Sequence, residues 1–305
     1  MGTPDFAVPS LVRLMGAGVP IRLVVTQPDR PCGRGMKVGC SAVKIAAEKL
    51  GLPVFQPPKV RGAETIEHIK ETGAQGAVVV AFGQILPQAF LDAFPLGVLN
   101  VHASLLPKYR GAAPIHRAIL AGETITGVSI MLLDAGMDTG PVFSRREISI
   151  LEADNFGIVH DRLADVGADL LFETLRARGS GLLTPQPQEH EAATYAPPLK
   201  KEELRVAWNM AARGIVNAIR AFDPWPGAFG FVQGKRVKFF RASLLGLSAE
   251  GDPGRVVGRN EKGLAVLAGD GQVLSIGELQ MEGQRRMSAD EFLRGRPLSA
   301  GSCLE

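Results

Sequence analysis

The chain has 305 residues, a length for about two domains, and its 46% hydrophobic content is that of a folded protein, which excludes disorder and fibrous repeats. Lys and Arg number 34 against 31 Asp and Glu, a net charge of +3, so no polycationic coat is present and any nucleic-acid patch has to be local. Apolar runs such as 77–82 fall well short of the about 20 residues that span a bilayer. Gly2 is followed by Phe6 where a myristoylation signal wants Ser or Thr. Cys32, Cys40 and Cys303 have no metal-type spacing. A cytoplasmic protein with free thiols, no membrane partner and no metal is expected.

In chain order, Gly2-Thr3-Pro4-Asp5 has the chemistry of a strand-to-helix turn, with Thr3 as N-cap and Pro4 at the first helical position, ahead of an apolar face of Phe6, Val8, Leu11 and Leu14. A doubly wound sheet starts on a strand and none precedes this turn, so a first strand upstream of Met1 is expected. Apolar β-branched runs at 21–25, 77–81 and 98–101 alternate with helical stretches at 42–50 and 86–93, which argues for a parallel α/β sheet. Residues 127–132 and 141–150 read as further strands. Residues 153–177 read as a helix, because Phe156, Val159, Leu163, Val166, Leu170 and Leu171 recur at three-to-four spacing.

The order breaks after Arg178, where Gly179, Ser180, Gly181, Pro185, Pro187, Pro197 and Pro198 punctuate a polar stretch containing Gln186, Gln188 and His190, the composition of an interdomain linker. Beyond it, 208–222 fits an amphipathic helix, Pro224-Trp225-Pro226-Gly227 a packed corner, and the rest short strands with turns at Gln233-Gly234 and Asp270-Gly271, the pattern of a small β-barrel. The basic excess lies in this last part. The scheme is a domain at 1–180, a linker at 181–199 and a second domain at 200–305.

Three clusters can carry chemistry. Asn100 and His102 share a strand face by alternation, at the end of a strand where open α/β sheets place ligands. Leu133-Asp134-Ala135-Gly136-Met137-Asp138-Thr139-Gly140 offers two carboxylates; Asp134 suits an Asx turn, and Asp138 is the one a folded loop can bring back to His102. Arg30, Arg34 and Lys37 sit on a long loop after a strand, suited to phosphates or to mere surface. Its Gly33, Gly35 and Gly39 are spaced one residue too far for a dinucleotide fingerprint.

The strings MGTPDFAVPSL, TQPDRPCGRG, AFGQILP, NVHASLLPKYRGAAPI, DAGMDTG and IRAFDPWPGAF together resemble the methionyl-tRNA formyltransferases nearly end to end. The Asn-x-His-x-Ser-Leu-Leu-Pro run with a later Asp is common to all folate-dependent formyltransferases, while TQPDRP-x-GRG and RAF-x-PWPGA narrow the resemblance to the tRNA enzymes. It implies a Rossmann-like domain with a mainly parallel sheet, a linker, and an OB-like barrel that binds tRNA. It implies 10-formyltetrahydrofolate as donor and methionyl initiator tRNA as acceptor, used by a monomer of bacterial type. Asn100, His102 and Asp138 would be catalytic. Ser104, Leu105, Leu106 and Pro107 would line the folate site, with Phe82, Gly83, Gln84, Ile85 and Leu86 along the pterin. Arg30, Arg34 and Lys37, with Lys235, Arg236, Lys238 and Arg241 on the barrel, would meet tRNA phosphates. The alternatives are a formyltransferase for an amino-sugar nucleotide or a glycinamide, against which the linker and barrel speak, and an RNA-binding relative without catalysis, against which the intact triad speaks.

Overall fold

The computed structural model describes residues 1–32, 37–296, 298 and 301–305, by backbone alone at 31, 32, 37 and 38. It forms two compact units, one of Met1–Pro114, Thr126–Ile148 and His160–Ala196, the other of Ile115–Ile125, Ser149–Val159 and Pro197–Glu305. Through residue 179 the elements run α1 (Val8–Gly16), β1 (Val24–Val25), β2 (Arg30–Cys32), β3 (Lys37–Gly39), α2 (Ala42–Lys49), β4 (Val54–Phe55), α3 (Ala63–Glu71), β5 (Ala77–Val79), α4 (Gln88–Leu91), β6 (Val98–His102), α5 (Pro114–Ala121), β7 (Ile125–Leu132), β8 (Val142–Ser149) and α6 (Phe156–Gly179).

In the first unit β1 pairs with β4 in parallel, and a second sheet runs β5-β6-β7-β8, parallel between β5 and β6 and antiparallel between β6 and β7. The α/β reading therefore holds, with one reversal in the expected parallel sheet. Met1 and Gly2 lie between the two ladders: Gly2 N donates to Val25 O (3.1 Å) and Val80 N donates to Met1 O (2.9 Å). Along α6 the predicted apolar line is buried at Val159, Leu163, Leu170 and Leu171. Gly167 lets this helix sit close on β6, since a Cβ there would lie 3.0 Å from Val101 Cγ1. That contact backs the strand carrying Asn100 and His102.

Several local expectations are corrected. Thr3 is not an N-cap: its hydroxyl donates to Phe82 O (2.9 Å), and a 3-10 turn at Asp5–Ala7 starts from Pro4 instead. The stretch 26–37 is not all loop, because Arg30–Cys32 and Lys37–Gly39 form an antiparallel ladder. The helix expected at 86–93 shrinks to one turn, since Pro87 forms its extended N-cap and the chain already turns back through Phe94 N→Leu91 O (3.3 Å) toward Gly97 at φ +73°.

The second unit carries α7 (Ala212–Ala221), β9 (Ala228–Val232), β10 (Lys235–Ser248), β11 (Val256–Asn260), β12 (Gly263–Leu267), β13 (Gln272–Met281), β14 (Met287–Ser288) and α8 (Ala289–Gly295). Its antiparallel sheet runs β11-β12-β13-β10-β9, with β14 on β13. Residues 301–305 reach both outer strands: Glu305 and Phe231 exchange backbone hydrogen bonds (2.9 and 2.7 Å), while Leu304 N donates to Gly254 O (2.9 Å) and Val256 N to Ser302 O (2.8 Å). Two earlier pieces of chain belong to this unit. Arg117 on α5 binds Glu203 at 2.5 Å and the carbonyls of Pro197 and Pro198 (3.2 and 3.1 Å), and Arg220 on α7 donates to Asp154 O (2.7 Å) and Leu151 O (2.6 Å). The corner at 224–227 is fixed by its backbone, through Gly227 N→Phe222 O (2.8 Å). The indole of Trp225 stands 68% exposed, so the packed corner expected at 224–227 leaves it outside.

Beside residues 21–23 of the first unit, which lie outside the β1 ladder, opens a cavity of about 740 Å³ lined by Leu11, Leu14, Leu23, Val78, Phe94 and Leu99. Met1 lines it, and its nitrogen donates to Val78 O (2.7 Å).

Candidate active site

Strand β6 ends at His102, beside the carboxyl end of its parallel neighbour β5, the edge at which open α/β sheets bind ligands. Asn100 and His102 share a face of β6, as expected from alternation. Asn100 is half-buried, and its carboxamide makes no hydrogen bond to another described residue. His102 is buried, and its Nε2 lies 3.0 Å from Tyr109 O. A carbonyl can only accept, so Nε2 carries the hydrogen and Nδ1 is the ring atom left for chemistry.

Asp138 is brought to that atom. Its Oδ2 sits 3.7 Å from His102 Nδ1 and accepts from Gly111 N at 2.8 Å, leaving Oδ1 with no protein donor among the described residues. The residue adopts a left-handed backbone, φ +53°, which Asp tolerates better than most side chains. Asp134 plays the turn role assigned to it, its Oδ1 accepting from Gly136 N (3.0 Å) and Thr139 Oγ1 (2.8 Å). Gly140 closes the loop so tightly that a Cβ would lie 1.9 Å from Leu132 O.

The other expected ligand residues fall on the same edge. Ser104 and Leu106 are buried; the Ser104 hydroxyl donates to Lys108 O (2.6 Å), and Ser129 Oγ ties Ser104 O (2.7 Å) to Leu106 N (3.0 Å). Of that run, Leu105 and Pro107 keep accessible surface. Phe82 is buried, and its carbonyl accepts from Thr3 Oγ1 and from Gln27 Nε2 (3.2 Å). Gly83 is exposed, Leu86 half-exposed, and Ile85 stands 94% exposed, while Gln84 turns back to accept from Val60 N (2.8 Å). Among the described residues no group of three or more His, Cys, Asp or Glu could hold a metal ion, and no helix is long and apolar enough to cross a membrane.

A family model described as formyl transferase matches residues 2–175, and one described as formyl transferase, C-terminal domain, matches residues 198–297. The methionyl-tRNA formyltransferase of Syntrophus aciditrophicus (strain SB) is 47% identical over 100% of this chain and 97% of its own length, and that of Geobacter metallireducens is 46% identical over 99% and 96%. The chain belongs to the methionyl-tRNA formyltransferase family. The sugar 3N-formyltransferase WlaRD superposes with a TM-score of 0.66 at 18% identity, covering 93% of this chain and 97% of that one. HypX from Aquifex aeolicus gives 0.62 at 20% identity, covering 86% and 47%. These two likenesses show the fold.

Set in this formyltransferase family, the basic residues occupy unequal surroundings. Arg30 is exposed and its Nη2 donates to Gln27 Oε1 (3.3 Å); Arg34 and the Lys37 side chain lie outside the described residues. The foot of that segment is pinned by Asp29, which binds Lys44 Nζ at 2.5 Å and Gln56 Nε2 at 2.7 Å; the Lys44 hydrogen bond is the main force holding its carboxyl below the ordinary range. In the second unit Lys235 is exposed, Arg236 lies over the Phe229 ring at 3.8 Å, and Arg241 pairs with Glu278 (3.1 Å). Lys238 donates to Pro226 O (2.6 Å), and burial, with Arg236 adding to it, pushes its ammonium pKa down.

Two residues with no role in the sequence reading border the site: Gln188 donates to Asp138 O, and Arg110 grips Gln188. Arg110 stands inside the quoted KYRGAAPI string, but no periodicity marks either as buried. The tightness of the Asp138 loop is testable on its own. Gly140→Ala should lose at least about 2 kcal/mol in urea melts, since backbone must move to admit the methyl; an unchanged midpoint would mean that the turn is looser than its geometry.

Proposed function

We propose that this member of a folate-dependent, methionyl-tRNA formylating family moves the formyl group of 10-formyltetrahydrofolate to the α-amino group of methionine on initiator tRNA. The single observation that carries the reading is the pair His102 Nδ1 and Asp138 Oδ2, 3.7 Å apart and anchored by Tyr109 O and Gly111 N of one backbone stretch. The formylating activity of the methionyl-tRNA formyltransferase relatives, and the tetrahydrofolate and 5-N-formyl-THF that accompany HypX and WlaRD in their crystal structures, support the choice of donor.

Attack by a neutral amine on the formyl carbon gives a tetrahedral carbon bearing an oxyanion. The Asn100 carboxamide and the His102 ring are the donors aimed at it. With Nε2–H committed to Tyr109, Nδ1 is the ring atom that meets the oxyanion when the ring is charged, and Asp138 balances that charge. Asp138 Oδ1 accepts the proton the amine sheds, directly or through water; the oxyanion then re-forms the carbonyl as the bond between the formyl carbon and the folate nitrogen breaks, and that nitrogen leaves with the proton. In this reading Leu105, Pro107 and residues 83–86, which keep accessible surface, meet the folate, while the buried Ser104, Leu106 and Phe82 hold the chain beneath them.

In this reading residues 1–180 catalyse, 181–199 join, and 200–305 form an OB-like barrel that holds tRNA, its ring completed by residues 301–305. Arg30, Arg34 and Lys37 meet the acceptor stem, and Lys235, Arg236 and Arg241 meet phosphates further away, with Lys238 supporting the corner beside them. The enzyme works as a cytoplasmic monomer.

Formylation assays with aminoacylated initiator tRNA test this. Asn100→Ala and His102→Ala should each lower kcat by about 100-fold or more while folate binding persists; near-normal turnover in either would remove that donor from the mechanism. Asp138→Asn, which suits the left-handed backbone equally well, should be inactive at every pH. Arg34→Ala should raise KM for tRNA without changing folate binding, and Arg34→Lys should recover part of the loss, because an ammonium cannot fork two phosphate oxygens. Unchanged constants at moderate salt would assign Arg34 to solvent.

A further inference from the structure

Arg110 is 2% exposed, and among the described residues no carboxylate lies within ion-pair distance of its guanidinium. A buried cation is costly unless its donors are met. Here neutral groups meet them: Nε and Nη2 donate to Gln188 Oε1 (3.2 and 2.7 Å), and Nη1 and Nη2 approach His190 Nδ1 (3.3 and 3.4 Å). A guanidinium only donates, which fixes the orientation of the Gln188 amide. Its oxygen has to face Arg110, so its NH2 has to face the other way. There it donates to Asp138 O (2.9 Å) and Gly140 O (2.7 Å).

Gln188 is itself 5% exposed, so both ends of its amide are spent inside the protein. Its two donors hold the backbone on either side of Thr139, including the carbonyl of the residue at φ +53°. The carboxylate of Asp138 is held separately, by Gly111 N, and the backbone around Gly111 is clamped by Arg110 N→Thr194 O (2.9 Å) and Ala196 N→Arg110 O (2.7 Å). One residue, Arg110, thus stands behind both anchors of Asp138: its side chain orients the amide on the loop backbone, and its main chain fixes the strip whose N–H grips the carboxylate.

We propose that Gln188, oriented by the buried Arg110, is a positioning residue that sets the Asp138 carboxylate against His102 for proton transfer. This rests on the reading of Asp138 as proton carrier. A displacement of about 1 Å at a reacting group is enough to cost about 100-fold in rate.

Gln188→Glu separates positioning from mere support. A carboxylate still accepts from Arg110, and more strongly, but it turns an oxygen instead of an NH2 toward the carbonyls of Asp138 and Gly140. If Gln188 only satisfied Arg110, the Glu variant would work. The full-length enzyme carrying Gln188→Glu should instead keep its thermal midpoint, keep KM for methionyl-tRNA and the folate dissociation constant within about twofold, and lose kcat by about 10- to 100-fold. Normal kcat, or a loss of kcat matched by weaker binding of both substrates in a variant that keeps its midpoint, overturns the proposal. Should this variant not fold, Gln188→Asn, which retracts the amide by one methylene, carries the same expectation and the same refutation. Asp138→Asn is run beside them: if it keeps turnover, the proton-carrier reading fails and this inference with it, whereas an inactive Asp138→Asn with a fully active Gln188→Glu sinks the positioning role alone.

Discussion

The arrangement of the first unit turns on one electrostatic constraint: an acidic side chain has to be held beside an imidazole whose far nitrogen is already spent. The hydrogen bond from His102 Nε2 to Tyr109 O fixes which ring atom is available, and the one from Gly111 N to Asp138 Oδ2 fixes where the carboxylate stands. Both come from a single stretch, 109–111, that leaves β6 and is laced to residues 194–196. The sheet supplies His102, the loop supplies Asp138, and this strip of backbone aligns the two.

Much of this was legible in the residues. Alternation placed Asn100 and His102 on one face at a strand end, and the chemistry of Asx turns separated Asp134, which caps its own loop through Gly136 N and Thr139 Oγ1, from Asp138. The local patterns that failed were those decided by distant partners. Thr3 and Pro4 look like a cap and a first turn, yet the Thr3 hydroxyl finds the carbonyl of Phe82, 79 residues away. Pro224-Trp225-Pro226-Gly227 looks like a packed corner, yet its indole is exposed and the corner is held by Gly227 N and by Lys238.

Gln188 shows a different kind of illegibility. Glycines, prolines and polar residues at 179–198 have the composition of a solvated connector, and composition registers only what a side chain prefers on average. An amide buried between a guanidinium and two carbonyls is as well hydrated, in effect, as one in water. A hydrogen-bonding environment built by folding is invisible to a reading that counts polarity.

The second unit has its own dependence on distance along the chain. Residues 301–305 pair with Phe231 on one side and with Gly254 and Val256 on the other, so the outer strands β9 and β11 wait for a segment about 50 to 70 positions downstream. During synthesis at about 5–20 residues per second, the sheet can form its four internal pairings well before that segment appears. For those seconds β9 and β11 present unpaired backbone edges of the kind that recruit other chains. Of the two, β11 carries Arg259, a charge of the kind that discourages such pairing, whereas β9 (Ala228–Val232) carries none, so the arrival of residues 301–305 is what shields the apolar edge of the nascent sheet.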